Sequence, residues 1–113
     1  MTLDAKMITI DCDEPRRLAA WWAKALDAEI AQDFGGEFVI LGAEPLVLGF
    51  QRVDEPRQSK NRVHVDFHTE DRHAEVARLV ALGATMVGEH SAGPMTWNVL
   101  QDIEGNEFCV AGE

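Results

Sequence analysis

The chain repeats one order of predicted secondary structure, and this internal repeat constrains the fold more than any other feature. The segment 25–28 (Ala-Leu-Asp-Ala) matches 81–84 (Ala-Leu-Gly-Ala) at an offset of 56 residues. Acidic residues, Asp13-Glu14 and Glu70, open a helical pattern at a similar distance before each match. Neither half is large enough to cover both faces of its sheet, so the two halves are expected to pair into one domain.

Hydrophobic periodicity places the elements of each half. Strands alternate at a period of two, and the helices carry apolar residues at helical spacing. Strands are predicted at 6–12, 28–32, 37–41, 46–52, 62–68, 84–88, 95–101 and 107–110, and helices at 16–26 and from about 69 to 82. Asp13 is the expected N-cap of the first helix, and Val76, Leu79 and Val80 form the expected apolar face of the second. The spacing predicts an α+β fold of two βαβββ modules, at about 5–53 and 61–113, joined by a polar linker at about 54–60.

Alternation along the strand 62–68 separates an apolar face from a polar one. The apolar face consists of Val63, Val65 and Phe67. The polar face consists of Arg62, His64, Asp66 and His68. The apolar set is expected to pack on the helices, because burial gains about 1.5–3 kcal/mol per large side chain. In the last strand, Phe108 and Val110 then face the helix, which leaves Cys109 on the side of His64.

If the two sheets curl toward each other, their polar faces line a cavity. That cavity presents His64, Asp66 and Cys109, with Trp97 and Gln101 on the next strand. Either Gln51 or Arg52, near the end of the fourth strand, points into it. Met7 lies on the corresponding face of the first strand. His90 is expected in a loop, and its spacing indicates no function.

Charge and cysteine content exclude several classes of protein. Among 113 residues, 20 acidic side chains face 10 basic ones, for a net charge of −10. Nucleic acid and polybasic membrane contacts both need clustered Lys and Arg, so neither partner is expected. No apolar run reaches membrane-spanning length, and the N-terminus lacks a signal-peptide pattern. The two cysteines, Cys12 and Cys109, indicate reduced thiols and a cytoplasmic location.

At this point the sequence resembles the glyoxalase-like branch of the vicinal oxygen chelate superfamily over essentially its whole length. The resemblance rests on the segments 11–15 (DCDEP) with 18–22 (LAAWW), 60–66 (KNRVHVD), 82–84 (LGA) and 102–109 (DIEGNEFC). The last of these is similar to an Asp-Pro-x-Gly-Asn signature, with Ile103 in place of proline. The resemblance implies a U-shaped mixed sheet around a cavity, with helices on the outer face and assembly as a homodimer.

The resemblance also implies a divalent-metal site with ligands from both modules, and these positions match poorly here. His64 is the clear match, Cys109 replaces a glutamate, Met7 falls at the first-strand position, and the fourth-strand position falls at Gly49 or Gln51. Three protein ligands with an open position are usual for a catalytic metal. We therefore expect no resident cofactor, with a divalent ion as the alternative.

Each candidate residue has a functional and a structural interpretation. In the functional interpretation, His64 is the acid/base and Asp66 supports it. In the structural interpretation, His64 is a hydrogen-bonded histidine without a catalytic role. Cys109 is either a nucleophile or, more commonly, a buried inert thiol. Trp97 stacks on a ligand or packs in the wall, and Arg62 attracts an anionic ligand or balances local charge. Expected ligand contacts are Trp97, Gln51, Arg62, Gln101, Cys109 and Met7.

The function expected from these features is the binding of a small organic ligand, with metal-independent lyase or isomerase chemistry through His64. One alternative is a binding protein that sequesters an antibiotic or metabolite without chemistry. The other is a metal-dependent lyase or dioxygenase. Fold alone does not choose between them.

Overall fold

The computed structural model describes residues 4–56 and 59–113. The chain divides into two compact units, Met1–Pro56 and Arg57–Glu113. Each unit has the order β-α-β-β-β, so the predicted α+β fold of two βαβββ modules is confirmed. The expected linker at 54–60 includes residues 57 and 58, which lie outside the described residues.

The first unit is a four-stranded mixed sheet with one helix. Its elements are β1 (Met7–Cys12), α1 (Pro15–Leu26), β2 (Ile30–Phe34), β3 (Phe38–Leu41) and β4 (Val47–Arg52). The strand order is β1-β4-β3-β2, with β1 parallel to β4 and the other pairs antiparallel. The helix α1 packs on one face of this sheet, where Leu18, Trp22 and Phe50 are buried.

The second unit repeats this arrangement. Its elements are β5 (Val65–Thr69), α2 (Arg72–Leu82), β6 (Thr85–Ala92), β7 (Met95–Gln101) and β8 (Glu107–Gly112). The strand order is β5-β8-β7-β6, again with one parallel pair, β5 with β8. Leu79, Leu100 and Phe108 are buried in its core. One face of this sheet carries α2, and we call the opposite one the helix-free face.

Helix ends follow local chemistry. Proline fixes its own φ and has no N–H, so Pro15 begins α1 and Glu14 takes the N-cap position. The prediction of Asp13 as N-cap was therefore wrong by one residue. In α2 the side chain of Asp71 accepts from the backbone N–H of Ala74, and Gly83 ends the helix in the left-handed conformation. Within the described ranges, neither helix is long and apolar enough to span a membrane.

Two apolar side chains differ from their predicted burial. Strand β5 begins at Val65 rather than at residue 62, because Val65 with Phe108 is the first pair of the parallel ladder. Val63 precedes that pair, so it is 70% exposed instead of packing on the helix. Val80 is 43% exposed, whereas Leu79 is buried. The buried face of α2 is therefore narrower than the apolar face predicted from the sequence.

A cation completes the core of the second unit. Arg72, at the start of α2, has a side chain only 7% exposed. Its Nη1 donates to Asn98 Oδ1 at 2.5 Å and to Glu89 Oε2 at 2.7 Å, and its Nε donates to the Gly112 carbonyl at 3.0 Å. The hydrogen bond and charge of Arg72 hold the pKa of Glu89 below its ordinary value. The helix therefore docks on the sheet through a polar contact as well as through apolar packing.

Candidate functional site

Strand pairing places Asp66 beside Cys109 on the helix-free face of the second sheet. Asp66 is the register partner of Cys109 in the parallel β5–β8 pair. Side chains alternate along a strand, so Phe108 and Val110, both buried, point to the opposite face. The predicted division of β8 into a helix side and a Cys109 side is therefore observed.

His64 lies immediately before β5 and turns its ring toward these two residues. Its Nδ1 is 3.1 Å from Asp66 Oδ1 and 4.0 Å from Cys109 Sγ. Side chains two apart on a regular strand are about 7 Å apart, so the sequence did not establish direct contact. Contact occurs because His64 is outside the ladder, where its backbone does not have to follow the strand. We call His64, Asp66 and Cys109 the polar triad.

The hydrogen bond within the polar triad orients the imidazole. An ionised carboxylate only accepts hydrogen bonds, so the pairing with Asp66 requires the His64 Nδ1 to carry the proton. The side chains of His64 and Asp66 are 38% and 67% exposed. This pairing leaves Nε2 as the ring atom for proton exchange with a ligand. In this arrangement the Asp66 carboxylate orients His64 as a base.

Cys109 is held as a neutral thiol. Burial raises its pKa, and the hydrogen bond and negative charge of Asp66 raise it further, to about 11, although Lys60 acts in the opposite direction. A nucleophilic cysteine needs a lowered pKa. The same His64 nitrogen that lies near the thiol is already engaged by Asp66. The chemistry of the triad therefore favours the inert-thiol interpretation.

The pH dependence of stability tests this state of Cys109. The unfolded chain loses the thiol proton near the ordinary pKa of 9.0, and the folded chain near 11. Below this interval both states hold the proton and the contribution of the thiol is fully present. Within it only the unfolded state ionises, so stability falls as pH rises. We expect urea unfolding between pH 8 and 11 to show wild type losing stability relative to Cys109→Ala. A difference that stays constant across this interval would contradict the raised pKa.

Trp97 and Gln101 share the helix-free face with the triad. Val99 is the partner of Cys109, and Trp97 and Gln101 lie two residues to either side of Val99, about 7 Å along the strand. Both side chains are half-buried. The ring of Trp97 lies 5.9 Å from that of His90, tilted by 31°.

His90 is a residue of this face that the sequence analysis missed. It lies in β6 rather than in a loop, and it pairs with Trp97 across the hairpin. The turn at Gly93-Pro94 contains the signal that could have located it. A two-residue turn there makes Ala92 the partner of Met95, which places His90 opposite Trp97.

Arg62 does not lie on a strand. It precedes β5 and is exposed, so the prediction that it shares a regular strand face with His64 was wrong. The late start of β5 is again the reason. Lys60, also exposed, is close enough to the triad for its charge to lower the pKa of Cys109.

Met7 and Gln51 belong to the first unit, on the face of its sheet away from α1. Met7 pairs with Val47 and Gln51 pairs with Asp11, so the two residues are four positions apart along the sheet, about 13 Å. They lie too far apart to bind one ion together.

The position in the first unit that corresponds to Cys109 is Gly49. It pairs with Thr9 in the parallel β1–β4 ladder, as Cys109 pairs with Asp66 in the second unit. A Cβ at Gly49 would lie 3.1 Å from the Phe38 ring and 3.1 Å from Thr9 Oγ1. Position 49 offers no side-chain ligand, and the Phe38 ring occupies the space where a ligating side chain would begin.

The polar triad has the donor set of a metal site. In the described ranges, one histidine nitrogen, one carboxylate oxygen and one sulfur lie within 4.8 Å of one another. A tetrahedral zinc ion with bonds of about 2.0–2.3 Å separates its ligands by about 3.3–3.8 Å. The separations of 3.1 and 4.0 Å from His64 Nδ1, and of at most 4.8 Å between the other two donors, need side-chain adjustments of about 1 Å or less to reach these values. The residues present therefore fit a zinc-like ion with one open position.

The sequence matches the model of a known protein family. The Glyoxalase-like domain family matches residues 7–111. The chain therefore belongs to the glyoxalase-like domain family, as the resemblance implied. The comparison with curated proteins finds no significant match.

Solved structures share the fold at low sequence identity. A glyoxalase/bleomycin resistance protein/dioxygenase family enzyme from Burkholderia phytofirmans PsJN is 17% identical, with a TM-score of 0.82 over 97% of this chain and 98% of the other. The E126Q mutant of the fosfomycin resistance protein FosX from Listeria monocytogenes, complexed with Mn(II) and 1S,2S-dihydroxypropylphosphonic acid, is 17% identical, with a TM-score of 0.82 over 100% and 92%. Lactoylglutathione lyase from Agrobacterium tumefaciens is 16% identical, with a TM-score of 0.72 over 95% and 91%. At these identities the similarity establishes the fold only. The chemistry has to be argued from the residues of the site.

Proposed function

We propose that this protein binds a small organic ligand on the helix-free face of the second sheet and transfers a proton with His64. The observation that carries the proposal is the 3.1 Å contact between His64 Nδ1 and Asp66 Oδ1. It orients the imidazole and supplies a negative charge beside the ring. Histidine is the side chain best suited to exchange protons near neutral pH.

The proposed chemistry is proton abstraction next to a carbonyl group. His64 Nε2 takes a proton from the carbon adjacent to the carbonyl, and Asp66 stabilises the imidazolium that forms. The electron pair of the broken C–H bond moves into an enolate. The proton then returns to a neighbouring atom in an isomerase step, or a β-substituent leaves with the electron pair in a lyase step.

An anionic substituent on the ligand is consistent with the charges near the triad. Lys60 acts electrostatically on Cys109, and Arg62 lies two residues before His64. FosX of Listeria monocytogenes was solved with a phosphonic acid. A small carboxylate or phosphonate that also carries a carbonyl group is therefore the first class of ligand to test. Trp97 and Gln101 offer a planar and a polar contact on the same face, and Met7 and Gln51 stay predicted contacts from the first unit.

A thermal-shift screen with small carbonyl carboxylates and phosphonates tests this proposal. We expect at least one class to raise the melting temperature of wild type and to be turned over. His64→Gln is expected to lower turnover by about 100-fold or more while the Kd changes little, because general acid–base catalysis contributes on this scale. His68→Gln, the same change four residues away within β5, is the control and should leave turnover unchanged.

The outcomes of this screen separate the candidates. Turnover that persists in His64→Gln would refute the acid/base role. Ligands that bind tightly to wild type without turnover would instead support sequestration of an antibiotic or metabolite.

A metal-dependent lyase or dioxygenase is the second candidate. The polar triad favours the lyase, because its donors fit a zinc-like ion and zinc has no redox chemistry. His64, Asp66 and Cys109 would hold the ion, with loss of the thiol proton. A bound ion would act as a Lewis acid on a ligand oxygen. Mass spectrometry of protein purified without chelator or affinity metal decides this point. One ion per chain, lost in both His64→Ala and Cys109→Ser, would replace the metal-independent proposal.

Assembly as a homodimer and a cytoplasmic location are also part of this proposal. Exposed apolar side chains on the β6–β7 hairpin support an interface between copies: Met86, Val87 and Met95 are 44%, 51% and 60% exposed. Neither Cys12 nor Cys109 forms a disulfide, which is consistent with a reducing compartment.

A further inference from the structure

We propose that Asn61 is a positioning residue that holds His64 against Asp66, an inference that rests on the proposed role of His64. The side-chain amide of Asn61 forms two hydrogen bonds to the segment that leads into β8. Its Oδ1 accepts from the backbone N–H of Glu107 at 2.9 Å, and its Nδ2 donates to Asn106 Oδ1 at 3.2 Å. Both ends of one amide thus tie the segment before His64 to the strand that carries Cys109.

The anchor on the β8 side is itself fixed. Asp102, 3% exposed, accepts from the backbone N–H groups of Glu104 and Asn106 at 2.9 and 3.0 Å. It also accepts from Asn106 Nδ2 at 3.0 Å. Because Asn106 directs its Nδ2 at a carboxylate, its Oδ1 is turned toward Asn61. The hydrogen bond to Asp102 therefore fixes the Asn106 amide so that its oxygen, and not its nitrogen, faces Asn61.

His64 needs such an anchor because the sheet does not hold it. The β5–β8 ladder begins at Val65 with Phe108, one residue after His64. Arg62, Val63 and His64 are all exposed. An exposed histidine–carboxylate pair is a weak restraint by itself, since solvent screens it and side-chain freedom opposes it.

Two attachments therefore bracket His64. Val65 attaches the chain to Phe108 on one side, and Asn61 attaches it to Glu107 on the other. Glu107 and Phe108 are adjacent, so both attachments refer to the same part of β8, two residues or fewer from Cys109. Asn61 therefore sets the distance from the His64 imidazole to Asp66 and Cys109 without touching a ligand itself.

The tautomer of His64 gives a direct readout of this role, one that does not require the ligand to be known. Two-bond ¹H–¹⁵N correlation spectra at one fixed pH distinguish Nδ1–H from Nε2–H imidazole. In wild type we expect His64 to be the Nδ1–H tautomer, as its contact with Asp66 requires. In Asn61→Ala we expect a mixture of tautomers, with circular dichroism showing an intact fold. Asn61→Asp keeps the acceptor for Glu107 and loses the donor to Asn106, so it is expected to fall between the two.

Ser91→Ala is the matched control, because it removes a side-chain hydrogen bond, to Thr96, in the same unit but in the β6–β7 hairpin. It should leave the His64 spectrum unchanged. With a turned-over ligand in hand, Asn61→Ala should lower kcat by about tenfold with KM nearly unchanged, and Asn61→Asp should recover part of that loss.

Three outcomes decide between the claims. A wild-type His64 tautomer in folded Asn61→Ala would overturn the positioning role and leave the proposed function standing. If Asn61→Ala does not fold, a wild-type tautomer in Asn61→Asp overturns it in the same way. If wild type itself lacks the Nδ1–H tautomer, the His64–Asp66 pair fails, and the proposed function fails with it.

Discussion

Replacing Asp102 with alanine is expected to lower the free energy of unfolding by about 3–5 kcal/mol, because several donors lose a buried charged acceptor at once. The carboxylate is 3% exposed and accepts from Glu104 N, Asn106 N and Asn106 Nδ2. The backbone N–H of Asp102 also closes the turn by donating to the Asn106 carbonyl at 2.9 Å. Without the carboxylate, the two buried donors of Asn106 lose their acceptor. Urea unfolding followed by tryptophan fluorescence and circular dichroism measures the loss.

Two further variants show whether the loss of stability comes from the buried carboxylate. Asp102→Asn keeps one carbonyl oxygen as an acceptor and is expected to lose about half as much stability. Asp54→Ala removes an exposed carboxylate that pairs with Arg52 at 3.0 Å, and it should cost less than about 1 kcal/mol. A loss below about 1 kcal/mol in Asp102→Ala would mean that the turn does not depend on the carboxylate.

Replacing Arg72 with alanine is expected to cost about 2–4 kcal/mol, because buried neutral acceptors lose their donor and the helix loses the packing of the side-chain stem. Asn98 Oδ1 and the Gly112 carbonyl both lose their Arg72 donor, and Glu89 loses its cation. The contact between α2 and the sheet weakens at the same time. Thermal and urea unfolding of the variant measure this loss.

The controls for Arg72 separate the network from the helix itself. Arg78→Ala removes an exposed i,i+3 pair with Glu75 on the same helix and should cost about 0.5 kcal/mol or less. Arg72→Met combined with Asn98→Leu replaces donor and acceptor together and is expected to recover much of the stability. If Arg72→Ala unfolds at the same urea concentration as Arg78→Ala, the buried cation does not hold the helix.

Family membership and site chemistry constrain the function to different degrees. The Glyoxalase-like domain match covers residues 7–111 and defines the fold. In the first unit, Gly49 has no side chain to bind a metal and Phe38 packs against it. In the second unit, the polar triad keeps a histidine, a carboxylate and a thiol in contact. The chemistry is therefore concentrated in the second unit, where the proposed experiments are directed.

Alternation at a period of two was enough to predict which residues of β8 face the helix. Phe108 and Val110 are buried in the core, and Cys109 lies beside Asp66. The same reasoning failed for Val63 and Arg62, because it assumed that the strand extended through them. Where a strand begins depends on the strand it pairs with. β5 begins at Val65, because Val65 with Phe108 is the first pair of the β5–β8 ladder.

The repeat and the side of the sheet that carries the polar residues were determined by the sequence itself, because each follows from local periodicity and the need to bury apolar surface. The contact of His64 with Asp66, the anchor at Asn61 and the burial of Arg72 were decided only by tertiary structure. Asn61 bonds to Glu107 across 46 residues and Arg72 to Asn98 across 26. A polar side chain carries no sequence signal of which distant partner will satisfy it, so its position becomes known only when the strands are paired.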